Sequence, residues 1–337
     1  MNPAIGFYEG RSLSDTDVFV LQNLPMPKVN KDDLMVEVKA VSVNPIDSKR
    51  RTSTKKSDQF TVQGYDACGV VVATGEEVED FAVGDRVFYA GTTQRSGANQ
   101  KYQLVDSRIA AKVPVMSSEE EMAALPLTSL TAWELLFEKF GFVPKENANN
   151  GQILLINASG GVGSIASQLA SWAGLTVYGT SSPENHPWIR QNGVAHPIDH
   201  HQPLQEQLDT TFQAIALFYD GSAYLPQCSE LIAPFGKIGM IVNTEKPLDL
   251  NPFKNSGVDF YWEYMFAKTD TGINIASQGA ILAAIAQLVA DNKIHSTVTK
   301  TISGGMTIAN LKKATALVEH HHTGKVVVTG GFTDDHT

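Results

Sequence analysis

GQILLINASGGVGSIASQLASWAGLTVYGTSS, residues 151–182, reads as one βαβ unit in which a buried strand meets a glycine turn and a helix, and a second strand ends without an acid. Ile153, Leu154, Leu155 and Ile156 lack polar alternation, the pattern of a parallel strand covered by helices on both faces. Gly160, Gly161, Val162 and Gly163 follow as a candidate pyrophosphate cradle, where free N–H groups at a helix N-terminus would hold the charge. Val162, Ile165, Ala166, Leu169, Ala170 and Ala173 then recur at helical spacing and give that helix one apolar face. As a bare pattern this is GxGxxG with Ala158 in the first glycine position, which is weak evidence by itself. Such a turn can also serve tight helix packing alone. Strand, turn, helix and second strand in this order and length favour a dinucleotide.

The residues after the second strand, 175–179, decide which dinucleotide is expected. An NAD-selective site places an acid about 20 residues after the glycines, where it accepts hydrogen bonds from ribose hydroxyls. Thr180, Ser181 and Ser182 occupy that place, and hydroxyls do not repel a 2′-phosphate. NADPH is therefore expected over NADH, with NADH still open. No arginine stands beside the hydroxyls, so His200 or Arg190 would have to assist.

The chain of 337 residues has room for two domains, and its 42% hydrophobic content is that of an ordinary globular enzyme. A net charge of −10 disfavours nucleic acid and anionic membranes as partners. The basic stretch Lys49, Arg50, Arg51, Lys55 and Lys56 reads as a solvated loop, with attraction of an anionic substrate as the sharper alternative. With no apolar signal core and no run of about 20 apolar residues, the expected location is cytoplasmic. Cys68 and Cys228 are too few for a disulfide framework and read as small buried thiols.

Before the glycine turn, alternating segments at 34–43, 69–74 and 86–90 suggest an all-β part. Ser118 and Glu121 then make a capping box that marks a boundary, with Pro126 interrupting the following helix and 128–140 resuming it. Strand candidates at 194–198, 212–219, 237–243 and 258–261 bring the parallel set to six, the number in a full dinucleotide fold. A helix at 275–291, a strand at 297–302, a helix at 308–319 and a strand at 326–329 complete the tail, which is expected to return to the first domain.

VSVNPIDSKR at 41–50, GYDACGVVVATGEEVEDFAVGDRVF at 64–88, LPLTSLTAWELL at 125–136, the glycine turn and GKVVV at 324–328 together resemble the medium-chain dehydrogenase/reductase superfamily, in its zinc-free quinone oxidoreductase-like branch. The segment at 95–110 is similar to proteins often labelled zinc-type alcohol dehydrogenase-like. The resemblance implies an α/β protein with a GroES-like β-rich catalytic domain and a six-stranded Rossmann domain. Its expected divisions are 1–125, 126–268 and a C-terminal return at 269–337. It also implies a homodimer or homotetramer, since the last Rossmann strand commonly pairs across a dimer in this family.

A catalytic zinc needs three protein ligands and an open position. By the resemblance, Asn44 stands where zinc-dependent relatives have cysteine, Tyr65 replaces the histidine of their GHE motif, and Ile46 replaces the proton-relaying hydroxyl. Asp66 alone survives, so no metal is expected. The histidines at 196, 200 and 201, and at 320, 321 and 322, read as adventitious metal binders at most, with His200 assigned to the cofactor. Without a Lewis acid, reduction of a quinone, enal or enone is easier than alcohol oxidation, because conjugation spreads the arriving charge.

Tyr65 is the leading hydrogen-bond donor to that oxyanion, with packing in the cleft as its alternative. The resemblance assigns Asn44 to orienting substrate or nicotinamide ribose, Thr131 to the nicotinamide side, and Lys325 either to the cofactor or to the surface. Asp47 is expected to anchor the Asn44 loop through a salt bridge. Tyr219, Val242 and Asn243 fall where cofactors approach an open α/β sheet. Among Phe260, Tyr261, Trp262, Tyr264 and Phe266, which read as a substrate wall or subunit interface, Trp262 is a candidate pocket residue with Met265. A zinc-dependent alcohol dehydrogenase and a catalytically silent NADPH-binding protein stand as competing readings.

Overall fold

The computed structural model describes residues 1–244, 246–320 and 322–332. In it the aliphatic run of the opening stretch forms the strand Gln152–Ile156, whose Ile153, Leu154, Leu155 and Ile156 are 0–1% exposed. It lies inside a sheet of six parallel strands: His196–Asp199, Thr176–Ser181, Gln152–Ile156, Phe212–Leu217, Ile232–Met240 and Asp259–Trp262. Numbered along the chain, that is the 3-2-1-4-5-6 order of a dinucleotide-binding sheet. The helix Gly161–Trp172 buries Ile165, Ala166, Leu169 and Ala170 against Gln152–Ile156 and Thr176–Ser181. This sheet belongs to a compact unit over Thr128–Met265.

The other compact unit joins Met1–Leu127 to the chain from Phe266 onward. Its main sheet places Val298–Ile302, Lys325–Thr329, Asp33–Val43, Ala67–Thr74, Arg86–Tyr89 and Ala110–Lys112 side by side, with Tyr102–Asp106 paired to Asp33–Val43. The tail strand Lys325–Thr329 pairs antiparallel with Asp33–Val43 in the register Val326 to Val43. Alternate residues Val36, Val38, Val71, Val87, Val326 and Val328 meet in one apolar core. Cys68 and Cys228 are free buried thiols, and burial pushes the pKa of each up, to about 12 for Cys228.

Ser118 and Glu121 form the expected capping box, and Pro126 opens a new helix, Pro126–Trp133, which continues as a π-helical stretch, Glu134–Lys139. The strand expected at 237–243 begins earlier, at Ile232, and ends at Met240. A register shift lets its irregular first half join the sheet, leaving Val242 and Asn243 beyond the strand. Asn2–Gly6 pairs with Val20–Leu24, a two-stranded ribbon that lacks a strong alternating signal.

The basic stretch is a correction. Residues 45–53 form the helix Pro45–Ser53, started by Pro45 and the acid Asp47, and Arg51 is buried rather than solvated. Glu319 neutralises its guanidinium at 2.7 Å, and the Phe19 ring lies 5.9 Å below it. Only Lys49, Lys55 and Lys56 keep the exposure of a solvated segment.

Candidate active site

In the dinucleotide-type unit, Asn157 leaves its strand in the left-handed region (φ 67°), and the chain turns into the helix through Gly160. Thr180 pins that turn twice: its hydroxyl accepts from the Asn157 N–H at 2.9 Å and its carbonyl from the Ala158 N–H at 2.9 Å. No side chain caps the helix, and its first turn holds no acid, so the positive end of the dipole is uncompensated. Gly160, Gly161 and Val162 are partly exposed while Gly163 is buried, its Cα side facing the Asn157 carbonyl so closely that a Cβ would lie 2.2 Å away. The turn thus fits a pyrophosphate at its exposed end and needs glycine for packing at the other.

Of the three hydroxyls, Thr180 is engaged by the turn and Ser181 donates to the Ser182 carbonyl. Ser182 meets His200, Oγ to Nε2, at 3.1 Å, so the structure brings these two expected cofactor residues together. Burial holds the His200 imidazole below its ordinary pKa, aided by the adjacent His201. Arg190, the other expected helper, instead donates to the Ala195 carbonyl at 3.3 Å. Tyr219, Val242 and Asn243 follow the fourth and fifth parallel strands, Tyr219 and Asn243 being exposed, and Thr131 is buried in its helix.

The other unit builds its polar centre from strand register. Because Val326 pairs with Val43 and Ala67 with Val41, the residues just beyond these pairs, Lys325, Asn44 and Asp66, gather at neighbouring strand ends. Lys325 donates to Asp66 Oδ2 at 2.8 Å and to Asn44 Oδ1. Asn44 Nδ2 donates to the same Asp66 oxygen at 2.7 Å and to the Ser42 carbonyl at 3.4 Å, while Asp66 Oδ1 accepts the Leu127 N–H at 2.7 Å. All three side chains are buried, which removes the surface alternative for Lys325: the strand carries it inward and Asp66 neutralises it. The carboxyl of Asp66 is raised above its ordinary value by burial, opposed by Lys325. Asn44 has both ends of its amide engaged in this network, which makes it a strut between Lys325 and Asp66.

Asp47 anchors Asn44, but through a hydrogen bond rather than the expected salt bridge: its Oδ2 accepts the Asn44 N–H at 2.8 Å, the usual geometry of an acid in the first helical turn. Burial pushes its pKa up to about 7. Because the folded value lies above the unfolded one, the native state binds the proton more tightly, and the associated stability is full below about pH 4 and lost as pH rises through 7. Asp47→Asn should therefore flatten the decline in stability between pH 5 and 8, by on the order of 2–4 kcal/mol. Urea midpoints measured across that range check it, and an unchanged slope would discount Asp47.

Beside Asp66, Tyr65 is buried with its ring edge on Phe266 at 5.2 Å, and the Arg50 guanidinium lies 5.9 Å from the ring centre. The aromatic run that reads as one wall disperses: Phe260 packs on Phe253, Tyr261 on Phe140 and Phe266 on Tyr65, while Trp262 and Tyr264 are exposed and Met265 is buried. Sequence reasoning missed Glu134 and Glu263, two buried acids in the parallel-sheet unit. Lys139 lies 3.0 Å from Glu263, whose carboxyl is pushed up to about 8 by burial and by Glu134. Their signal was an acid set inside the apolar run TAWELLF and another directly after the last parallel strand.

Two family descriptions match the chain, an alcohol dehydrogenase GroES-like domain at residues 30–115 and a zinc-binding dehydrogenase at 192–328. A zinc-type alcohol dehydrogenase-like protein of Staphylococcus epidermidis is 34% identical over 336 residues, covering 96% of this chain and 98% of that protein. A solved structure from Rhizobium etli CFN 42, described as a zinc-dependent alcohol dehydrogenase protein, superposes with a TM-score of 0.92 at 37% identity and covers 98% of both chains. An NADPH-dependent alkenal/one oxidoreductase of Arabidopsis thaliana is 30% identical over 265 residues, 72% of this chain and 67% of that one.

The zinc in three of those descriptions can be tested against the donor atoms here. Zinc takes thiolates, imidazoles and carboxylates in a tetrahedral set. Asp66 already holds an ammonium, its neighbours Asn44 and Tyr65 are poor ligands, and among the described residues no three of His, Cys, Asp and Glu converge to hold a metal. This donor set does not fit zinc. The tail histidines do not supply one: His320 bonds the Ala316 carbonyl, His322 bonds Thr299, and His321 lies outside the described residues. Among the described residues, no helix is long and apolar enough to cross a membrane.

Proposed function

The chain belongs to the medium-chain dehydrogenase/reductase superfamily, and from that premise we propose that it carries hydride from NADPH to a quinone or a similar conjugated carbonyl acceptor without a catalytic zinc. The closed Lys325–Asp66–Asn44 network carries this reading: the positions at issue hold a neutralised ammonium where a metal-dependent oxidation would need a Lewis acid. An acceptor that spreads the arriving charge over a conjugated oxygen asks only for hydrogen-bond donors. Residues 160–162 would hold the pyrophosphate by backbone N–H groups, and Ser182 with His200 would receive the 2′-phosphate end. Bound there, NADPH would supply hydride from its nicotinamide C4. The Tyr65 phenol would donate to the developing oxyanion, and the network next to it would keep the Tyr65–Asp66 segment in place.

Loss of reduced nicotinamide absorbance with a panel of quinones and enals tests the reading, and no turnover with any of them would defeat it. Tyr65→Phe should lower kcat about hundredfold while leaving the NADPH dissociation constant unchanged. An unchanged kcat would remove the phenol from the chemistry. A second reading, reduction of an enal or enone double bond, is favoured by the activity in the Arabidopsis relative's description. Product analysis separates the two, a hydroquinone from one and a saturated carbonyl from the other.

A further inference from the structure

The segment 49–56 carries Lys49, Arg50, Arg51, Lys55 and Lys56 with no acid among them, in a chain whose net charge is −10. Arg51 alone is paired, with Glu319. Among the described residues the other four form no ion pair, whereas Arg11, Lys31, Arg86, Arg95, Arg108 and Lys112 of the same unit each sit within 3.2 Å of a carboxylate. Helix-end electrostatics account for only part of this charge: Arg50 and Arg51 lie in the last turn of Pro45–Ser53, where the dipole favours cations, while Lys55 and Lys56 lie beyond the helix. Hydroxyls meet three carbonyls toward the end of that helix, Thr52 on Ser48 and Lys49, and Ser53 and Thr54 on Arg50. Arg50 instead lays its half-buried guanidinium toward the Tyr65 ring, at 5.9 Å from its centre.

Resting on the reductase reading above, we propose that the acceptor bears an anionic group, a carboxylate or a phosphate, which Arg50 receives next to Tyr65. Guanidinium presents a planar fork of N–H donors that matches either anion, and a half-buried one gains more from the pairing than an exposed lysine does. Lys49, Lys55 and Lys56, all exposed, add a local positive potential that draws such an acceptor against the negative net charge of the chain. Arg50 is in this sense a specificity residue of the acceptor site.

The experiment compares three matched quinones, one with a carboxyalkyl side chain, one with its methyl ester and one with a phosphoalkyl side chain. The native protein should prefer the anionic members over the ester about tenfold in kcat/KM, mostly through KM, and the preference should fall with added salt. Arg50→Gln should bring the acid-to-ester ratio near one, and Arg50→Lys should keep part of it. The double variant Lys55→Gln/Lys56→Gln, at two exposed positions, should weaken the salt dependence, a readout that stands even if the Arg50 variants fold poorly. A ratio near one in the native protein, or the same ratio in Arg50→Gln, overturns charge selection and leaves the reductase standing. Turnover of none of the three quinones overturns this selection together with the reductase reading for quinones. The carboxylate and phosphate arms show which anion is preferred.

Discussion

Lys325→Met is expected to destabilise the protein by about 3–5 kcal/mol, because it strands a buried carboxylate. Asp66 is fully buried and accepts from Lys325, Asn44 and the Leu127 N–H, so the lysine is its one cationic partner in that network. Methionine fills a similar volume and leaves the packing of the strand Lys325–Thr329 intact, so the loss isolates the charge. The pH dependence gives a second signature. Burial already raises the Asp66 carboxyl and Lys325 pulls it back; without the ammonium the folded-state value climbs further. Stability of the variant is then best preserved in acid, where Asp66 is protonated, and is lost as pH rises through the folded value. The gap to the native protein should therefore narrow below about pH 5. The double variant Lys325→Met/Asp66→Asn removes the stranded charge and should recover more than half of the loss. Urea unfolding across pH 4 to 8 reads all three proteins. A double variant no more stable than the single one would mean that the pair acts through shape and not charge.

That pair also marks the limit of what the sequence discloses. The strand Gln152–Ile156, the glycine turn and the helix Gly161–Trp172 are legible because their instructions are local: unbroken apolar residues, three glycines, then helical spacing. The tail helix Ile308–Glu319 is legible for the same reason, with Thr307 accepting the Asn310 N–H at its start. Asp66 and Lys325 are 259 residues apart, and nothing near either names the other; only the register that sets Val326 against Val43 makes them neighbours. Helix Pro45–Ser53 escaped because PIDSKRRTS has no apolar period, and what folds it is Pro45, Asp47 and the burial of Arg51 on Glu319. At the nucleotide end, the three hydroxyls looked equivalent in sequence, and the turn of the backbone separates them: Thr180 supports the turn, and Ser182 faces His200.

The glycines admit the same separation, and two alanine substitutions should come apart in what they disturb. At Gly163 a Cβ would lie 2.2 Å from the Asn157 carbonyl oxygen and 2.6 Å from the Ala158 Cα, both backbone atoms that cannot rotate away. Gly163→Ala must push the helix off the strand end, at about 1–3 kcal/mol of stability. It also displaces the first-turn N–H groups, so NADPH affinity should fall by about a hundredfold. At Gly160 the backbone has φ −71°, open to any residue, and the nearest atom to a new Cβ is the Asn157 side-chain amide at 3.0 Å, which can turn aside. Gly160→Ala should leave stability within about 0.5 kcal/mol of the native protein. If a pyrophosphate lies against that exposed face, the added methyl keeps it at a distance, and affinity should still drop about tenfold. Thermal unfolding without cofactor and titration with NADPH measure the two quantities independently. A turn that serves helix packing alone would lose affinity only where it loses stability, so full NADPH affinity in Gly160→Ala would count against the phosphate cradle. Reduced affinity in a Gly160→Ala protein of native stability is the outcome expected of a turn shaped for the dinucleotide.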